Sequence, residues 1–547
     1  MEYRSPDPEP VIPGVRLDEL LLSAASRHDP SAVAIHDIPT GAELTYGELV
    51  TQVASVAGAM AHAGIGAGDV VGLHLPNGPE SVVCLLATLA TGAAVSPLPF
   101  GHRADELQHQ LRMVDASALI THRDQLGESL RAACALDLEP SSVIVVPTVP
   151  RHLSDGPHPG PTSYEQALRH PPTGPTHPVQ LDLATAPALL PLSSGTTGLP
   201  KPVLLPHRAL VANVVQLQAV GGLQSSDRVL AYLPFTHMYG LTATLASGLL
   251  AGATLLTMPR FEGAAAVDLI ARHRITVMFV VPPVASYLAT ARAVDDADLS
   301  CVRVVVSGGA PLDPAIARTL VERLHVCVLQ GYGLTEASPV CLVMRAGAGH
   351  SVEGVGIPLP GVRCRVVYPA SGRDVPAPRE GTVSALGELW VKGPNVMNGY
   401  LDRPLETASV LDGEGWLHTG DIASIDDTGQ ERVVDRLKEL ITTRGFNVAP
   451  AELEAVLQRY PGVADAAVTA VASEAPDDAR PWALVERSGG PGGGPSEEGI
   501  MRYVADHTAD YKHLAGVSFV PRVPRSATGT ILRRDLPDLL PPHVTPR

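Results

Sequence analysis

The sequence predicts an α/β protein: a large N-terminal domain of αβ-layered sheets plus a small antiparallel subdomain, with a small α+β C-terminal domain. Apolar strands alternate with helices from about residue 44 to residue 330, a pattern typical of a parallel sheet covered on both faces. Short strands and turns replace this alternation from about residue 351. The tail has an αβ pattern of its own, and 547 residues are too many for one hydrophobic core.

The first αβ units are marked by their caps and apolar runs. Thr45 is the predicted N-cap of a helix that runs to about Gly64, with Glu48 three residues on as the capping-box partner. The next predicted elements are a strand at 69–75, a helix at 79–89, a strand at 93–98 and a helix from about Asp105.

The αβ pattern continues after a stretch rich in Pro, His and Gly at 150–178, which we interpret as a surface connection. Its histidines have no regular spacing, which favours a solvated loop over a metal site. The following predicted elements are strands at 186–190, 229–233, 277–281, 302–306 and 327–330, with a helix at 208–220.

Composition and charge exclude several classes of protein. The chain has 45% hydrophobic and 18% charged residues, as ordinary globular proteins do. Its formal net charge of −17 disfavours a nucleic-acid or anionic-membrane binder, so that local groups must hold any anionic ligand.

Six scattered cysteines favour neither a zinc site nor a disulfide framework and fit a reducing cytoplasm. The N-terminus resembles no secretory signal. Residues 229–259 carry no Lys, Arg, Asp or Glu, but proline and glycine interrupt them, which argues against a membrane span.

The stretch SSGTTGLPK at 193–201 carries the strongest chemical signal in the chain. Glycines allow close approach of the backbone to an anion, hydroxyls donate hydrogen bonds without adding charge, and Lys201 adds a cation. The loop lacks the GxxxxGK[ST] spacing of the common phosphate loop. Taken alone, it fits a polyphosphate cradle and a solvated Gly/Thr turn equally well.

Other polar groups follow the later strands. His237 and Tyr239 lie in an apolar loop, where they could line an aromatic-sized pocket or, for the histidine, belong to the core. Glycine-rich loops are predicted after the strands that end near Val306 and Gln330, and functional loops of open α/β sheets gather at the carboxyl ends of strands. In the second of these loops, Glu336 offers the oxygen ligand that magnesium prefers.

Six motifs occur in order along the chain. They are SSGTTGLPK at 193–201, YGLTE at 332–336, GEL at 387–389, TGD at 419–421, DRLKELI at 435–441 and PRSATG at 524–529. Together they resemble the motifs of the AMP-forming adenylating superfamily, which comprises acyl-CoA synthetases, 4-coumarate–CoA ligases, luciferases and peptide-synthetase adenylation domains. The resemblance extends from about Leu44 to Leu536 and favours the phosphate cradle over the solvated turn.

The resemblance implies a reaction and a set of ATP-binding residues. A carboxylate attacks the α-phosphate of ATP, giving an acyl-adenylate and pyrophosphate, and the acyl group then usually passes to a thiol such as that of CoA. Thr196, Thr197 and Lys201 would hold the β- and γ-phosphates, Thr335 the α-phosphate and Glu336 the magnesium ion. Asp421 and Arg436 would bind the ribose, and Tyr332 would stack on adenine. The full implied ATP-binding set is Ser193, Ser194, Gly195, Thr196, Thr197, Gly198, Lys201, Tyr332, Gly333, Thr335, Asp421 and Arg436.

The same resemblance implies the division of the chain and its acyl pocket. Residues 1–434 would form the adenylate-forming domain and residues 435–547 a mobile C-terminal domain, hinged at Asp435, with Gly445 and Phe446 bordering a thiol tunnel. The implied pocket residues are His237, Tyr239, Gly308, Gly309, Gly331, Pro339 and Val340. Their small size suggests a flat slot, which favours an aromatic or cinnamate-like acid over a long fatty acid. Nothing in the sequence decides between a monomer and a homodimer.

One position departs from the family pattern. The family's last motif ends in Gly-Lys, and its lysine bridges the substrate carboxylate and the nucleotide; here Thr530 follows Gly529. The implied catalytic set is therefore Lys201, His237, Thr335 and Glu336, with Thr530 in place of the lysine. Loss of a charge-assisted contact to the transition state costs ~10²-fold or more in rate if nothing replaces it.

Three hypotheses follow from this substitution. The protein is an acyl-CoA ligase in which Arg533 or Lys512 compensates, or in which a slow first step is tolerated. Alternatively, it is an adenylating enzyme of secondary metabolism with another substrate or acceptor, such as an amide synthetase or a diazotase that uses nitrite and an aminoaryl acid. In the third hypothesis it is a non-catalytic sensor of a nucleotide or acyl-adenylate, which the retained Lys201, Glu336, Asp421 and Arg436 argue against.

Overall fold

The computed structural model describes residues 1–139, 142–146, 162–172, 180–193, 200–347, 352–443, 446–473, 479–488, 494–526 and 529–547. The strands of the N-terminal part are β1 Tyr3–Arg4, β2 Val33–Asp37, β3 Glu43–Thr45, β4 Val70–His74, β5 Ala94–Pro97, β6 Ala118–His122, β7 Val143–Val146, β8 Thr162–Ser163, β9 Pro187–Leu189, β10 Leu192–Ser193, β11 Lys201–Pro206, β12 Arg228–Ala231, β13 Thr254–Thr257, β14 Val277–Val280, β15 Val304–Ser307, β16 Cys327–Gly333 and β17 Val340–Val343. The later strands are β18 Ile357–Pro358, β19 Arg363–Val367, β20 Gly387–Lys392, β21 Gly399–Tyr400, β22 Leu417–Ile425, β23 Glu431–Arg436, β24 Ile441–Thr443, β25 Phe446–Val448, β26 Val463–Ala472, β27 Ala479–Arg487 and β28 Gly516–Val520.

The helices cover the sheets in the order that the αβ alternation predicts. They are α1 Leu17–Ala25, α2 Tyr46–His62, α3 Pro79–Thr91, α4 Ala104–Met113, α5 Leu126–Cys134, α6 Tyr164–Leu168, α7 His207–Ala219, α8 Ser247–Ala251, α9 Gly263–Arg272, α10 Pro282–Thr290, α11 Pro314–Leu324, α12 Pro404–Ala408, α13 Pro450–Gln458 and α14 Glu497–His507, with a π-helical segment over Tyr239–Ala246. The predicted capping box of α2 is present, because the Glu48 amide donates to Thr45 Oγ1 over 3.2 Å and the Thr45 amide donates to Glu48 Oε2 over 2.9 Å.

Two large sheets form the N-terminal layers, as predicted. Within the described residues one sheet has the order β10-β11-β9-β5-β4-β6-β7-β8, with β21 beside β11, and the other has the order β18-β17-β16-β15-β14-β12-β13-β2-β3. The pairs β4–β5, β4–β6, β14–β15 and β15–β16 are parallel. Buried aliphatic residues from both sheets and the helices between them form one continuous core.

The antiparallel subdomain is also present, with the order β1-β19-β20-β22-β23. Its first strand was not predicted from the sequence: Tyr3 and Arg4 pair with Cys364 and Arg363 of β19. A second core, formed by residues such as Leu453, Ala483 and Ile500, lies between the sheet β26-β27-β28 and the helices α13 and α14.

The charge-free stretch at 229–259 folds as β12, the π-helical segment, α8 and β13, which agrees with the prediction of buried strand, loop and helix. Nowhere in the described ranges is there a helix both long enough and apolar enough to cross a bilayer. The connection predicted at 150–178 lies largely outside the described residues, as do three of its four histidines.

Candidate active site

The predicted phosphate cradle is the connection of an antiparallel strand pair. Ser193 ends β10, Lys201 begins β11, and the two residues lie opposite each other in the register. Ser194, Gly195, Thr196, Thr197 and Gly198 lie outside the described residues. The strand pair therefore places a hydroxyl and an ammonium group at the two ends of the glycine-rich loop.

Glu336 lies directly beside these two loop ends. Its carboxylate is buried with a residue exposure of 7%, and Oε1 accepts hydrogen bonds from Ser193 Oγ at 2.5 Å and from the Tyr400 hydroxyl at 2.9 Å. The Lys201 ammonium lies 5.1 Å from the centre of the Tyr400 ring. In the described part of the chain no hydrogen-bond donor reaches Oε2, so this oxygen is available to a ligand.

A second cluster lies where β16 meets the antiparallel subdomain. The Tyr332 hydroxyl donates to Asp421 Oδ2 over 2.5 Å, and Arg436 Nε lies 3.3 Å from Asp421 Oδ1. Asp421 and Arg436 are register partners on β22 and β23. Desolvation raises the pKa of the Asp421 carboxyl and the Arg436 charge opposes this shift, while burial raises the pKa of Tyr332 and keeps it a hydrogen-bond donor.

The structure corrects the prediction of a glycine-rich loop after Gln330. Strand β16 continues through Gly333 and turns back antiparallel into β17, with Tyr332 opposite Leu342. A Cβ atom on Gly333 would lie 2.1 Å from the Pro339 carbonyl oxygen, so that glycine is required for the close approach of the two strands. Thr335 and Glu336 follow in a short 3₁₀ turn, Thr335–Ala337, which directs Glu336 toward Ser193.

Tyr239 and Gly308, two of the predicted pocket residues, lie in contact with each other. The Tyr239 hydroxyl donates to the Val306 carbonyl over 2.9 Å, and its ring packs edge-on against Phe279. A Cβ atom on Gly308 would lie 3.1 Å from the Tyr239 ring, so the glycine makes room for the aromatic wall. His237 is exposed, yet the surrounding protein lowers its pKa by desolvation, which favours the neutral imidazole near pH 7.

The remaining predicted pocket residues lie on the neighbouring strands. Gly331 is in β16, opposite Val343, and Pro339 precedes β17. The backbone of Val340 is fixed by the Asn213 side chain, which donates to its carbonyl over 2.7 Å and accepts from its amide over 3.2 Å. Gly309 lies beyond β15 with a φ of +84°.

The C-terminal motif docks on this same side of the N-terminal part. The Thr530 hydroxyl lies 3.4 Å from the Gly309 carbonyl oxygen, and a Cβ atom on Gly529 would lie 3.2 Å from Pro283. Arg525 fixes the turn by donating to the Gly529 carbonyl and by pairing with both carboxylate oxygens of Asp465 at 2.7 Å. Arg525 thus fixes the turn in this chain, and Thr530, at the position of the family lysine, lies beside Gly309.

The two cations that could compensate for the lysine are engaged elsewhere. Arg533 pairs with Glu439 and Glu454 and donates to the Val468 carbonyl. Lys512 pairs with Glu452 at 2.5 Å. Both sets of contacts lie within the C-terminal part, where they stabilise its own packing.

Asp435, the predicted hinge, is the last residue but one of β23. Its carboxylate accepts from the Arg436 amide and from the Ala451 amide at the start of α13, both over 2.8 Å. Burial raises the pKa of Asp435 to about 6, against the charge of Arg533. Of the predicted thiol tunnel, Gly445 lies outside the described residues and Phe446 begins β25.

Sequence reasoning did not find Tyr400. It lies in an apolar, uncharged stretch, Val-Met-Asn-Gly-Tyr-Leu at 396–401, and no spacing rule associates that stretch with Glu336 or Lys201. Only the pairing of β21 with β11 brings the three residues together.

The two-part α/β architecture and the paired charges at the strand ends are those of an adenylate-forming enzyme. The chain belongs to the family of AMP-binding enzymes: the family model described as AMP-binding enzyme matches residues 22–401, and the model described as AMP-binding enzyme C-terminal domain matches residues 452–530. It is thus a member of the ATP-binding, AMP-forming acyl- and aryl-CoA ligase family.

Individual relatives agree with this assignment. The chain is 36% identical to 4-coumarate–CoA ligase 3 of Arabidopsis thaliana over 516 residues, which cover 91% of this chain and 86% of the relative. It is similar in structure to ATP-bound MatB of Rhodopseudomonas palustris, with a TM-score of 0.82, 27% identity and coverage of 95% and 98%. The amide bond synthetase McbA of Marinactinospora thermotolerans gives a TM-score of 0.81, 26% identity and coverage of 95% and 99%. The domain boundary at 434/435, the roles of individual residues and the cytoplasmic location stay predictions.

Proposed function

We propose that the protein activates a small aromatic carboxylic acid, of the benzoate or cinnamate type, as its acyl-adenylate and transfers the acyl group to CoA. The contact network that joins Ser193, Lys201 and Glu336 carries the proposal, because it brings together a hydroxyl, a cation and a carboxylate oxygen that accepts no hydrogen bond from the described residues. A protein that only held an acyl group would have no use for this arrangement.

The residues present fit a magnesium ion. Glu336 Oε1 is held by two hydroxyl groups while Oε2 is free of donors among the described residues, and magnesium takes one or two carboxylate oxygens together with phosphate oxygens. Bound there with ATP, the ion would neutralise charge on the phosphates. Lys201 would add a second positive charge next to the glycine-rich loop.

The nucleoside end is proposed to bind at the second cluster. Asp421 is fixed by Tyr332 and Arg436, so its carboxylate is preoriented to accept from ribose hydroxyls. With the nucleotide held at both ends, a carboxylate oxygen of the acid attacks the α-phosphorus, the bond to the bridging oxygen breaks, and pyrophosphate leaves. In the second step the CoA thiolate attacks the acyl carbon and AMP leaves. Positioning and charge neutralisation supply most of the rate in such transfers.

The acyl side supports an aromatic substrate. The Tyr239 hydroxyl is bound to the Val306 carbonyl and its ring packs on Phe279, and the absence of a side chain at Gly308 lets the backbone there approach the ring closely. A planar acid could lie against such a wall.

A second candidate function is favoured by Thr530. Its hydroxyl lies at Gly309, on the acyl side, where the family has a cation, and the nearby Arg533 and Lys512 are held by carboxylates. An enzyme whose activated substrate is not a carboxylate, such as a diazotase using nitrite and an aminoaryl acid, has no carboxylate for that cation to bridge. An amide synthetase that gives the acyl group to an amine would instead differ in its acceptor.

The test is product analysis by mass spectrometry with ATP and, in separate reactions, aromatic acid alone, acid with CoA, acid with an amine, and aminoaryl acid with nitrite. Acid-dependent exchange of pyrophosphate into ATP, followed by a CoA thioester, is the expected outcome. AMP release that requires both nitrite and an aminoaryl acid would replace the first proposal with the second. ATP binding without AMP formation in any reaction would leave the sensor hypothesis.

A further inference from the structure

Tyr400 contacts the Glu336 carboxylate and the Lys201 ammonium through two different parts of its side chain. Its hydroxyl donates to Glu336 Oε1 over 2.9 Å, and the Lys201 ammonium lies 5.1 Å from its ring centre. The residue is 6% exposed. An ammonium at this distance from an aromatic ring is within the range of a cation–π contact.

The segment that carries Tyr400 is fixed to both neighbours. Strand β21 pairs with β11, which begins at Lys201, and the Met397 amide donates to the Glu336 carbonyl over 2.8 Å. The Asn395 side chain donates to the carbonyls of Ala337 and Val340 over 2.8 and 3.1 Å. The phenol is therefore positioned by backbone contacts to the elements that carry Lys201 and Glu336.

Two hydroxyl groups, of Tyr400 and of Ser193, donate to the same carboxylate oxygen of Glu336, Oε1. Two donors on one oxygen restrict the rotation of the carboxylate. The other oxygen, Oε2, accepts no hydrogen bond from the described residues.

We propose that Tyr400 is the positioning residue of the magnesium and phosphate site: its hydroxyl fixes the Glu336 carboxylate that would hold the metal ion, and its ring holds the Lys201 ammonium at the start of β11. The inference rests on the proposed function for the identity of the metal–ATP ligand. Partners that orient a metal-binding carboxylate commonly change metal affinity 10- to 100-fold when they are removed, by the general range for such contacts.

Two substitutions separate the role of the Tyr400 hydroxyl from the role of its ring. Tyr400→Phe keeps the ring and removes the donor to Glu336, so that it should weaken only the contribution of magnesium. Tyr400→Leu also removes the ring beneath Lys201, so that it should in addition weaken binding of ATP without metal. Tyr164→Phe is the matched control, because Tyr164 is 4% exposed and its hydroxyl donates to Gln52 at a distant site.

The experiment is calorimetric titration of the full-length protein with ATP, without any acid, across a series of magnesium concentrations and in EDTA. For Tyr400→Phe we expect the magnesium concentration that gives half of the gain in ATP affinity to rise about tenfold, with the affinity in EDTA unchanged. Tyr164→Phe should match the wild type in both conditions. A wild-type magnesium dependence in Tyr400→Phe, or an equal loss with magnesium and in EDTA, would overturn the role assigned to the hydroxyl.

For Tyr400→Leu we expect a further loss of affinity in EDTA of about threefold or more, on the scale of a weak cation–π contact. An affinity in EDTA equal to that of Tyr400→Phe would overturn the role of the ring. Failure of the proposed function has a different signature, since wild-type protein would then bind magnesium–ATP normally and exchange no pyrophosphate with any acid.

Discussion

The two ends of the candidate site differ in how their charges are held. At the nucleotide end, Glu336 and Asp421 each have a tyrosine hydroxyl as donor and a cation nearby. At the C-terminal turn, the support formed by Arg525 and Asp465 is intact but the residue it presents, Thr530, is uncharged. The comparison predicts that ATP binding and the first chemical step can be separated in this chain, because the charges that differ from the family pattern lie only at the C-terminal turn.

The largest effect should come from removing the charge of Glu336 at the nucleotide end of the candidate site. Glu336→Gln removes the charge that would hold the metal ion while the amide oxygen can still accept from Ser193 and Tyr400. We expect pyrophosphate exchange to fall ~10²- to 10³-fold, the usual cost of losing one electrostatic contact to the transition state. Exchange is measured at saturating ATP and with magnesium varied.

Asp227→Asn serves as the control for that variant. Asp227 is a buried carboxylate just before β12 that pairs with Arg303 at 2.6 Å and has no contact with Glu336, Ser193 or Tyr400 among the described residues. Its loss should lower the melting temperature and leave exchange per folded molecule near the wild-type rate. An equal loss of exchange in both variants would contradict a special role for Glu336.

The next effect concerns the uncharged turn. In Thr530→Lys the turn fixed by Arg525 would carry an ammonium group to the Gly309 side of the pocket. If the protein activates a carboxylate, exchange with its acid should rise ~10²-fold, the reverse of losing such a contact. Thr530→Val, which removes only the hydroxyl, should change exchange by less than threefold. An unchanged or lower rate in Thr530→Lys would favour the candidate function in which no carboxylate is bridged.

A smaller effect is expected from loosening the support of the turn. Arg525→Gln loses the paired contact with Asp465 and the donation to the Gly529 carbonyl, so that Thr530 is less well fixed at Gly309. We expect about a tenfold decrease in exchange with ATP affinity unchanged, because only the positioning of the turn is affected. Arg534→Gln, at an exposed residue that pairs only with its neighbour Asp535 among the described residues, is the control. A parallel loss of ATP affinity in Arg525→Gln would show that the two ends are not independent.

The sequence predicted more of the fold than of the contacts. Local signals such as the Thr45–Glu48 capping box and the αβ alternation gave helices and strands close to those observed. The short strand at Tyr3–Arg4 and the continuation of β16 through Gly333 were missed, because pairing with β19 and β17 produces them and no local pattern does. Compensation by Arg533 or Lys512 was proposed from charge alone, whereas their partners Glu454 and Glu452 lie far from them in the sequence. Tyr400 was missed for the same reason, since it becomes functional only through its neighbours.

The smallest effect concerns Asp435, the predicted hinge. Burial raises the pKa of Asp435 to about 6 from the value near 3.8 of an exposed aspartate. Between these two values the folded protein binds more protons than the unfolded chain, so this residue's contribution to stability is full below pH 3.8 and decreases as pH rises through 6. Asp435→Asn cannot titrate, so its melting temperature relative to that of the wild type should rise across pH 4–7, by on the order of 2 °C, and level off above pH 7. A constant difference across that range would mean that the pKa of the Asp435 carboxyl in the folded protein is near 3.8, as in an exposed aspartate.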